Sequence, residues 1–347
     1  IKKFDYSENV ICESKGLINI KTGYEISQKV ISEFKNIKEV VNVIQLKPIL
    51  PIMSRKECEV PFSTAKEMLE IAEKENLALW ELATLYESAR GNISEEEVFE
   101  KMKKIVILSK NSIEDGFKGT SYENRILGPQ AWMIKKSKKE GKLIPGEVLN
   151  SVIGSITSMM EVKSSLGVIV AAPTAGSCGG LPGTLIGTAK EMGLNIDETT
   201  KALLAAGIIG VFIAEHATFA AEVGGCQVEC GAGSGMAAGG LVQLVGGTVI
   251  QGVDAASMAL QNILGMICDP VADRVEVPCL GKNVMAGVNA LACANMALAD
   301  FDKVIPLDEV IDAMYSVGHM LPSEVRCTGH GGLSITETAL NIDEEIN

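Results

Sequence analysis

The chain has 347 residues, 47% of them hydrophobic, and a formal net charge of −13. A chain of this length buries a sizeable core in one or two domains, and its positive mean hydropathy excludes a disordered protein. The acidic balance, with no basic stripe carrying interleaved aromatics, argues against a nucleic-acid binder.

In chain order, residues 1–61 read as a small α/β appendage and linker. They hold an extended piece at Val10–Cys12, a helix around Tyr24–Asn36 and a β-like run over Val40–Leu46. Pro48 and Pro51 then break the chain within a linker at about 47–61. The opening Ile-Lys-Lys-Phe-Asp shows no apolar leader. Residues 62–142 read as helices. Thr64-x-x-Glu67 and Ser94-x-x-Glu97 are capping boxes ahead of apolar residues at helical spacing. Gly119–Arg125 breaks the pattern, and Lys135–Lys142 is a charged surface run.

From Gly146 onward apolar helices alternate with Gly-rich loops, with helices expected at 147–165, 181–192, 197–220, 233–247, 253–266, 283–299 and 307–319. The run Ala202–Ala214, bounded by Lys201 and Glu215, is too short to span a bilayer and reads as a buried helix. The expectation is a mainly α protein: a compact helical catalytic domain over 62–347 with Gly-rich loops around a cluster, plus the small N-terminal α/β appendage over 1–61.

Nine cysteines without secretory features point to a reducing cytoplasm, and seven of them fall between 178 and 327. Three stand in Gly/Pro-rich, nearly uncharged settings: Gly-Gly-Cys226-Gln, Met-Ile-Cys268-Asp-Pro and Val-Pro-Cys279-Leu. Three thiolates without an obvious fourth fit a [4Fe–4S] cluster with one open iron, a Lewis acid able to draw off a hydroxyl. Zinc is the alternative, carried by the tight pair Cys226-x3-Cys230. Cys12, Cys58, Cys178, Cys230 and Cys293 read as structural, since free cysteine is a common core residue. The chain has three histidines. His319 reads as structural. His216, beside Glu215 and ten residues before Cys226, and His330, in a Gly-rich loop, are the acid–base candidates. Pro173–Gly180 opens a helix, so its backbone N–H groups form a cradle for a carboxylate; the plainer reading is a helix start capped by Ser177 or Thr174.

Longer segments carry a resemblance. They are APTAGSCGGLPG (172–183), AEVGGCQVECGAGSGMAAGGL (221–241), GMICDPVADRVEVPC (265–279), KNVMAGVNA (282–290) and DEVIDAMYSVGHMLPSEVRCTGHGGL (308–333). Over about residues 62–340 the chain resembles the α subunit, or α domain, of the iron–sulfur L-serine dehydratases, also called L-serine ammonia-lyases. The resemblance implies that Cys226, Cys268 and Cys279, spaced by 42 and 11 residues, hold the cluster. It implies loss of water from L-serine to give pyruvate and ammonia, without pyridoxal phosphate. It also implies substrate binding by Thr174, Gly176, Ser177, Gly179 and Ser121. Part of the family caps the open iron with a C-terminal cysteine, which makes Cys327 a candidate fourth ligand. The family's β domain carries a Ser-Ser-Ser-His-Thr-like motif that this chain lacks, so either a separate β subunit supplies it or the protein works differently. The chain also departs from the family pattern at Glu215-His216-Ala-Thr218-Phe, at Thr120-Ser121-Tyr-Glu-Asn and at Gly329-His330-Gly-Gly. These changes surround the expected pocket and leave room for another β-hydroxy amino acid. The rivals are a cysteine desulfidase, disfavoured by Cys268-Asp-Pro, and a non-catalytic iron–sulfur subunit. The expected partners are a small amino-acid substrate and other subunits in a homo- or hetero-oligomer, with no nucleic acid and no membrane.

Overall fold

The computed structural model describes residues 9–14, 17–21, 26–44 and 58–346. The chain divides into two units, 1–51 and 52–347. In the first, β1 (Asn9–Ser14) and β2 (Leu17–Lys21) form an antiparallel hairpin that sets Val10 opposite Ile20. Helix α1 (Gln28–Lys35) follows, with the Ser27 side chain accepting the Val30 N–H as its cap. Val40–Leu46 was expected to be β-like, but residues 41–44 are irregular, and the Val40 N–H closes a turn on the Ile37 carbonyl. Val41 is fully exposed. A β-branched run with nothing to pair or pack against gains little from its propensity. Residues 45–57, with the end of that run and most of the expected linker, lie outside the described residues, as do residues 24 and 25 at the start of the expected first helix.

The second unit is helical. Its helices are α2 (Ala65–Glu75), α3 (Leu79–Gly91), α4 (Glu95–Lys118), α5 (Ala131–Lys139), α6 (Glu147–Ser164), α7 (Gly180–Glu191) and α8 (Ile196–His216). They continue with α9 (Ala221–Gly224), α10 (Cys230–Leu244), α11 (Val249–Gln261), α12 (Cys279–Leu298), α13 (Leu307–Met320) and α14 (Glu337–Ile346). The protein is therefore mainly α. Thr64 and Glu67 form a complete capping box at the start of α2. At α4 only half of the expected box forms. Ser94 accepts the Glu97 N–H, but the Glu97 carboxylate turns to Lys101 at 3.4 Å.

Helices α10, α11 and α12 begin three to four residues earlier than their apolar periodicity implied. Thr248-x-x-Gln251 is a complete capping box that the periodicity alone did not register. Helices α10 and α12 start on Glu229 and Pro278 without any side-chain cap, so no local signal marks them. The earlier starts put Cys230 and Cys279 on the first turns of these helices.

Helix α10 is buried along almost its whole length and lies at the centre, against α7, α8, α11 and α12. Small residues allow this. A Cβ at Gly240 would stand 2.8 Å from the Ala202 carbonyl on α8, so the two backbones touch there. Phe212, Leu204, Ile208, Ile209 and Ile213 of α8 and Leu260 of α11 are fully buried around it, each contributing about 1.5–3 kcal/mol of burial. Among the described residues, no helix is long and apolar enough to cross a membrane.

Candidate metal centre

Four stretches of chain, far apart in sequence, are tied into one pocket. Gly225 has φ 73° and ψ −172°, a conformation open almost only to glycine, and a Cβ there would meet the Met266 carbonyl at 2.8 Å. That glycine lets the 225–228 turn lie on the 265–268 segment. The Gln227 N–H donates to the Met266 carbonyl at 3.1 Å, and its side chain accepts the Gly265 N–H and donates to the Met314 carbonyl. On the far side of Cys268, its N–H donates to the Val325 carbonyl at 2.8 Å, and its carbonyl accepts the Cys327 N–H at 2.9 Å. The fourth stretch enters through Lys282, whose Nζ donates to the Ile267 carbonyl (2.7 Å) and the Asp269 carboxylate (2.6 Å). Asp269 is itself buried and accepts the Leu333 N–H.

Asn283, fully buried on α12, joins three helix starts. Its Oδ1 accepts the first N–H of α7, that of Gly180, at 2.9 Å. Its Nδ2 donates to the carbonyls of Gly176 (3.1 Å) and Cys279 (2.9 Å) and lies 3.5 Å from the Cys230 sulfur. The N-terminal ends of α7, α10 and α12 therefore converge, and each carries partial positive charge. Such a point favours anions, thiolates and carboxylates included.

Within this pocket, the Cys226 and Cys268 sulfurs and a Glu229 carboxylate oxygen all lie within 4.8 Å of one another, a spacing at which they could hold a metal ion. The Cys226 thiol also touches that of Cys230, and the Cys268 thiol touches that of Cys327. Cys279, buried, feels the charge of Cys268, Lys163 and Glu229, although its sulfur does not join the 4.8 Å set. Glu229 accepts a hydrogen bond from the Thr174 hydroxyl at 2.7 Å, and a Cβ at Gly176 would stand 3.1 Å from the same carboxylate.

The electrostatics suit a metal that carries its own positive charge. Hydrogen bonding to Cys230, with burial, pushes the Cys226 thiol far above its ordinary range, and Cys226 does the same to Cys268. Burial pushes Cys279 and Cys327 up to about 12. Without metal these sulfurs keep their protons; a thiophilic metal displaces them. Burial also raises the Glu229 carboxyl. Two ammonium groups stand by. Burial pulls Lys163 down against the pull of Cys178, Cys279, Glu276 and Glu229, and its Nζ donates to the Val275 carbonyl at 2.8 Å. Burial opposes the charge on Lys282 too, but Cys226, Asp269 and Cys268 together hold its pKa above the usual value. Thiols and a carboxylate form a donor set that fits an iron–sulfur centre, and the two ammonium groups offset the negative charge such a centre brings.

The other sequence candidates lie variously. Thr174 is in the pocket, on Glu229; Ser177 is buried and donates its N–H to the Thr174 hydroxyl at 3.2 Å. Gly179 packs on α6, where a Cβ would meet Met160 at 2.9 Å. The cradle expected from this loop is partly taken, because Asn283 already accepts the Gly180 N–H. Glu215 and His216 end α8; His216 Nε2 is hydrogen-bonded to the Ser63 carbonyl at 2.9 Å, and Glu215 is exposed and acts on Tyr86. His330 is exposed on the loop after Cys327, and Ser121 is exposed beside Tyr122, whose hydroxyl donates to Glu276. His319 stacks edge-on against Tyr315, and Cys178 packs on Met160. Sequence reasoning passed over Glu229, Lys163, Lys282 and Asn283. A signal existed for Glu229: it is the one charge between Glu222 and Asp254.

A buried thiol-and-carboxylate pocket thus lies at the meeting of helix starts, with ligand atoms that could hold a metal ion. The family model for the serine dehydratase alpha chain matches residues 62–334, and the chain belongs to that family. It is 34% identical over 285 residues to the probable L-serine dehydratase alpha chain of Bacillus subtilis, covering 82% of this chain and 95% of that one. It is 35% identical over 283 residues to the L-serine dehydratase alpha chain of Peptoniphilus asaccharolyticus, covering 81% and 96%. L-serine dehydratase 1 of Escherichia coli is 32% identical over 285 residues, and there the match covers 79% of this chain and 62% of the relative.

Proposed function

We propose that this chain is the α subunit of a cytoplasmic [4Fe–4S]-dependent hydro-lyase that converts L-serine, or a close β-hydroxy amino acid, to the 2-oxo acid and ammonia. The observation that carries this is the set of Cys226, Cys268 and Glu229 within 4.8 Å, in a buried pocket of a serine dehydratase alpha chain. Cys226, Cys268 and Cys279 would hold the cluster. When bound, it supplies a Lewis acid that turns hydroxide into an acceptable leaving group.

The protein's own part is to bind, orient and move protons. The converging helix starts and Lys163 favour the substrate carboxylate; the Thr174–Gly179 loop shapes that side of the pocket. Of the proposed acid–base groups, His330 lies on the loop that carries Cys327, whereas His216 is engaged with the Ser63 carbonyl and Glu215 lies beside it. We therefore assign the proton transfer at the α-carbon to His330 ahead of His216 and Glu215. The rest of the substrate site would come from a β partner, as the alpha-chain naming of the relatives suggests.

The test is anaerobic purification followed by iron, sulfide and visible absorption, with pyruvate release from L-serine measured with and without a β chain. The expected result is a brown protein with about four irons per chain that makes pyruvate, fully so once the β chain is added. A colourless, iron-free anaerobic preparation overturns the cluster and the mechanism.

A further inference from the structure

We propose that Glu229 is the fourth protein ligand of this centre, holding the iron that Cys226, Cys268 and Cys279 leave open and giving way to substrate. The inference rests on the cluster reading above. Its ground is geometric: Glu229, with Cys226 and Cys268, completes the set whose ligand atoms lie within 4.8 Å of one another. No cation pairs with this carboxylate at salt-bridge distance among the described residues, and Thr174 provides its hydrogen bond, onto Oε1. The other oxygen is left for a metal. Lys163 and Lys282 act on it from a distance, each already hydrogen-bonded to a backbone carbonyl.

The surroundings fix the carboxylate in place. Glu229 directly precedes α10, the most buried helix of the fold, so its backbone has little freedom. The loop over it passes at Gly176, where any side chain would press on Oε1 at 3.1 Å. Thr174 and Gly176 thus confine the carboxylate, and one of its oxygens lies within 4.8 Å of the Cys226 and Cys268 sulfurs.

Ligand chemistry gives the arrangement its use. Iron in a sulfide cubane prefers soft thiolate, and a carboxylate is the weaker, exchangeable partner. A carboxylate on the fourth iron protects it at rest and still leaves when a substrate with its own carboxylate and hydroxyl arrives. Cys327 is the rival, since its thiol touches Cys268. As a thiolate it would bind the iron more firmly and exchange less readily.

The experiment uses the full chain, purified anaerobically with its cluster, and follows loss of the fourth iron under limited ferricyanide by the growth of the three-iron EPR signal. Glu229→Gln is expected to lose that iron at least about tenfold faster than the wild type, the scale seen when support for a metal ligand is removed. Glu229→Asp, which keeps the carboxylate, should fall between them, and Cys327→Ser should match the wild type. Wild-type rates in both Glu229 variants, or a faster loss in Cys327→Ser alone, overturn the proposal while leaving the cluster intact. A protein that takes up no iron and sulfide overturns the cluster reading and this proposal together.

Discussion

Replacing Asn283 by alanine tests whether the convergence of helix starts holds this pocket together. The side chain is fully buried and makes three hydrogen bonds to backbone, from the Gly180 N–H and to the Gly176 and Cys279 carbonyls. At about 1 kcal/mol net for each, with a buried N–H left orphaned, the loss is about 3 kcal/mol or more. That is a large share of the 5–15 kcal/mol that ordinarily separates folded from unfolded states. With a urea slope of about 3 kcal/mol/M, the midpoint should fall by about 1 M. Asn283→Asp sharpens the test. The new residue keeps an oxygen for the Gly180 N–H but turns a second oxygen toward two carbonyls, so it should destabilise at least as much as alanine. A shift in urea below about 0.3 M for alanine, or an aspartate variant as stable as wild type, would refute the argument.

Two further outcomes follow from the same geometry. Glu161 is buried, accepts two N–H bonds on Oε1, and leaves Oε2 unpartnered; burial raises its carboxyl above the unfolded value of 4.5. The folded state therefore bears the cost of its charge at neutral pH and sheds it as pH falls toward the unfolded value. Glu161→Gln should be the more stable protein at pH 7, with the gap closing as pH falls to about 4.5, as read from denaturation midpoints across pH. Gly225→Ala combines a glycine-only backbone conformation with a Cβ 2.8 Å from the Met266 carbonyl. It should cost at least about 1–3 kcal/mol and lower iron uptake in an anaerobic reconstitution; unchanged stability and uptake would show that the 225–228 turn is not held as described.

Much of the helical unit was legible because apolar periodicity and capping residues act locally. Thr64 and Glu67 specify the start of α2 within four residues, and no tertiary contact is needed to read them. The start of α12 was not legible in that way. Nothing near Pro278 caps the helix, and Cys279 joins the first turn because packing allows it. The thiols stood out through their Gly/Pro settings, and the structure brings Cys226 and Cys268 together. Lys163 did not stand out, and Glu229 stood out only as a lone charge in an uncharged run, since what marks both is a low-polarity space built by separate segments of the chain. Cys327 was raised by the family resemblance alone, whereas its nearness to Cys268 comes from backbone pairing that no local pattern carries. The strand β2 was missed for a simpler reason: five residues of Leu-Ile-Asn-Ile-Lys are too short to show a period.

The backbone pairing of Cys268 with Val325 and Cys327 sets a timetable for the living protein. Domains acquire structure from the N-terminal side while synthesis proceeds. Here the helices that bear Cys230 and Cys279 can pack while the segment that closes the pocket has yet to be translated. The pocket is closed only when Val325–Cys327, made after both of those helices, pairs with Cys268. Until then the backbone on either side of the Cys268 thiol lacks the partners that hold it in the finished fold.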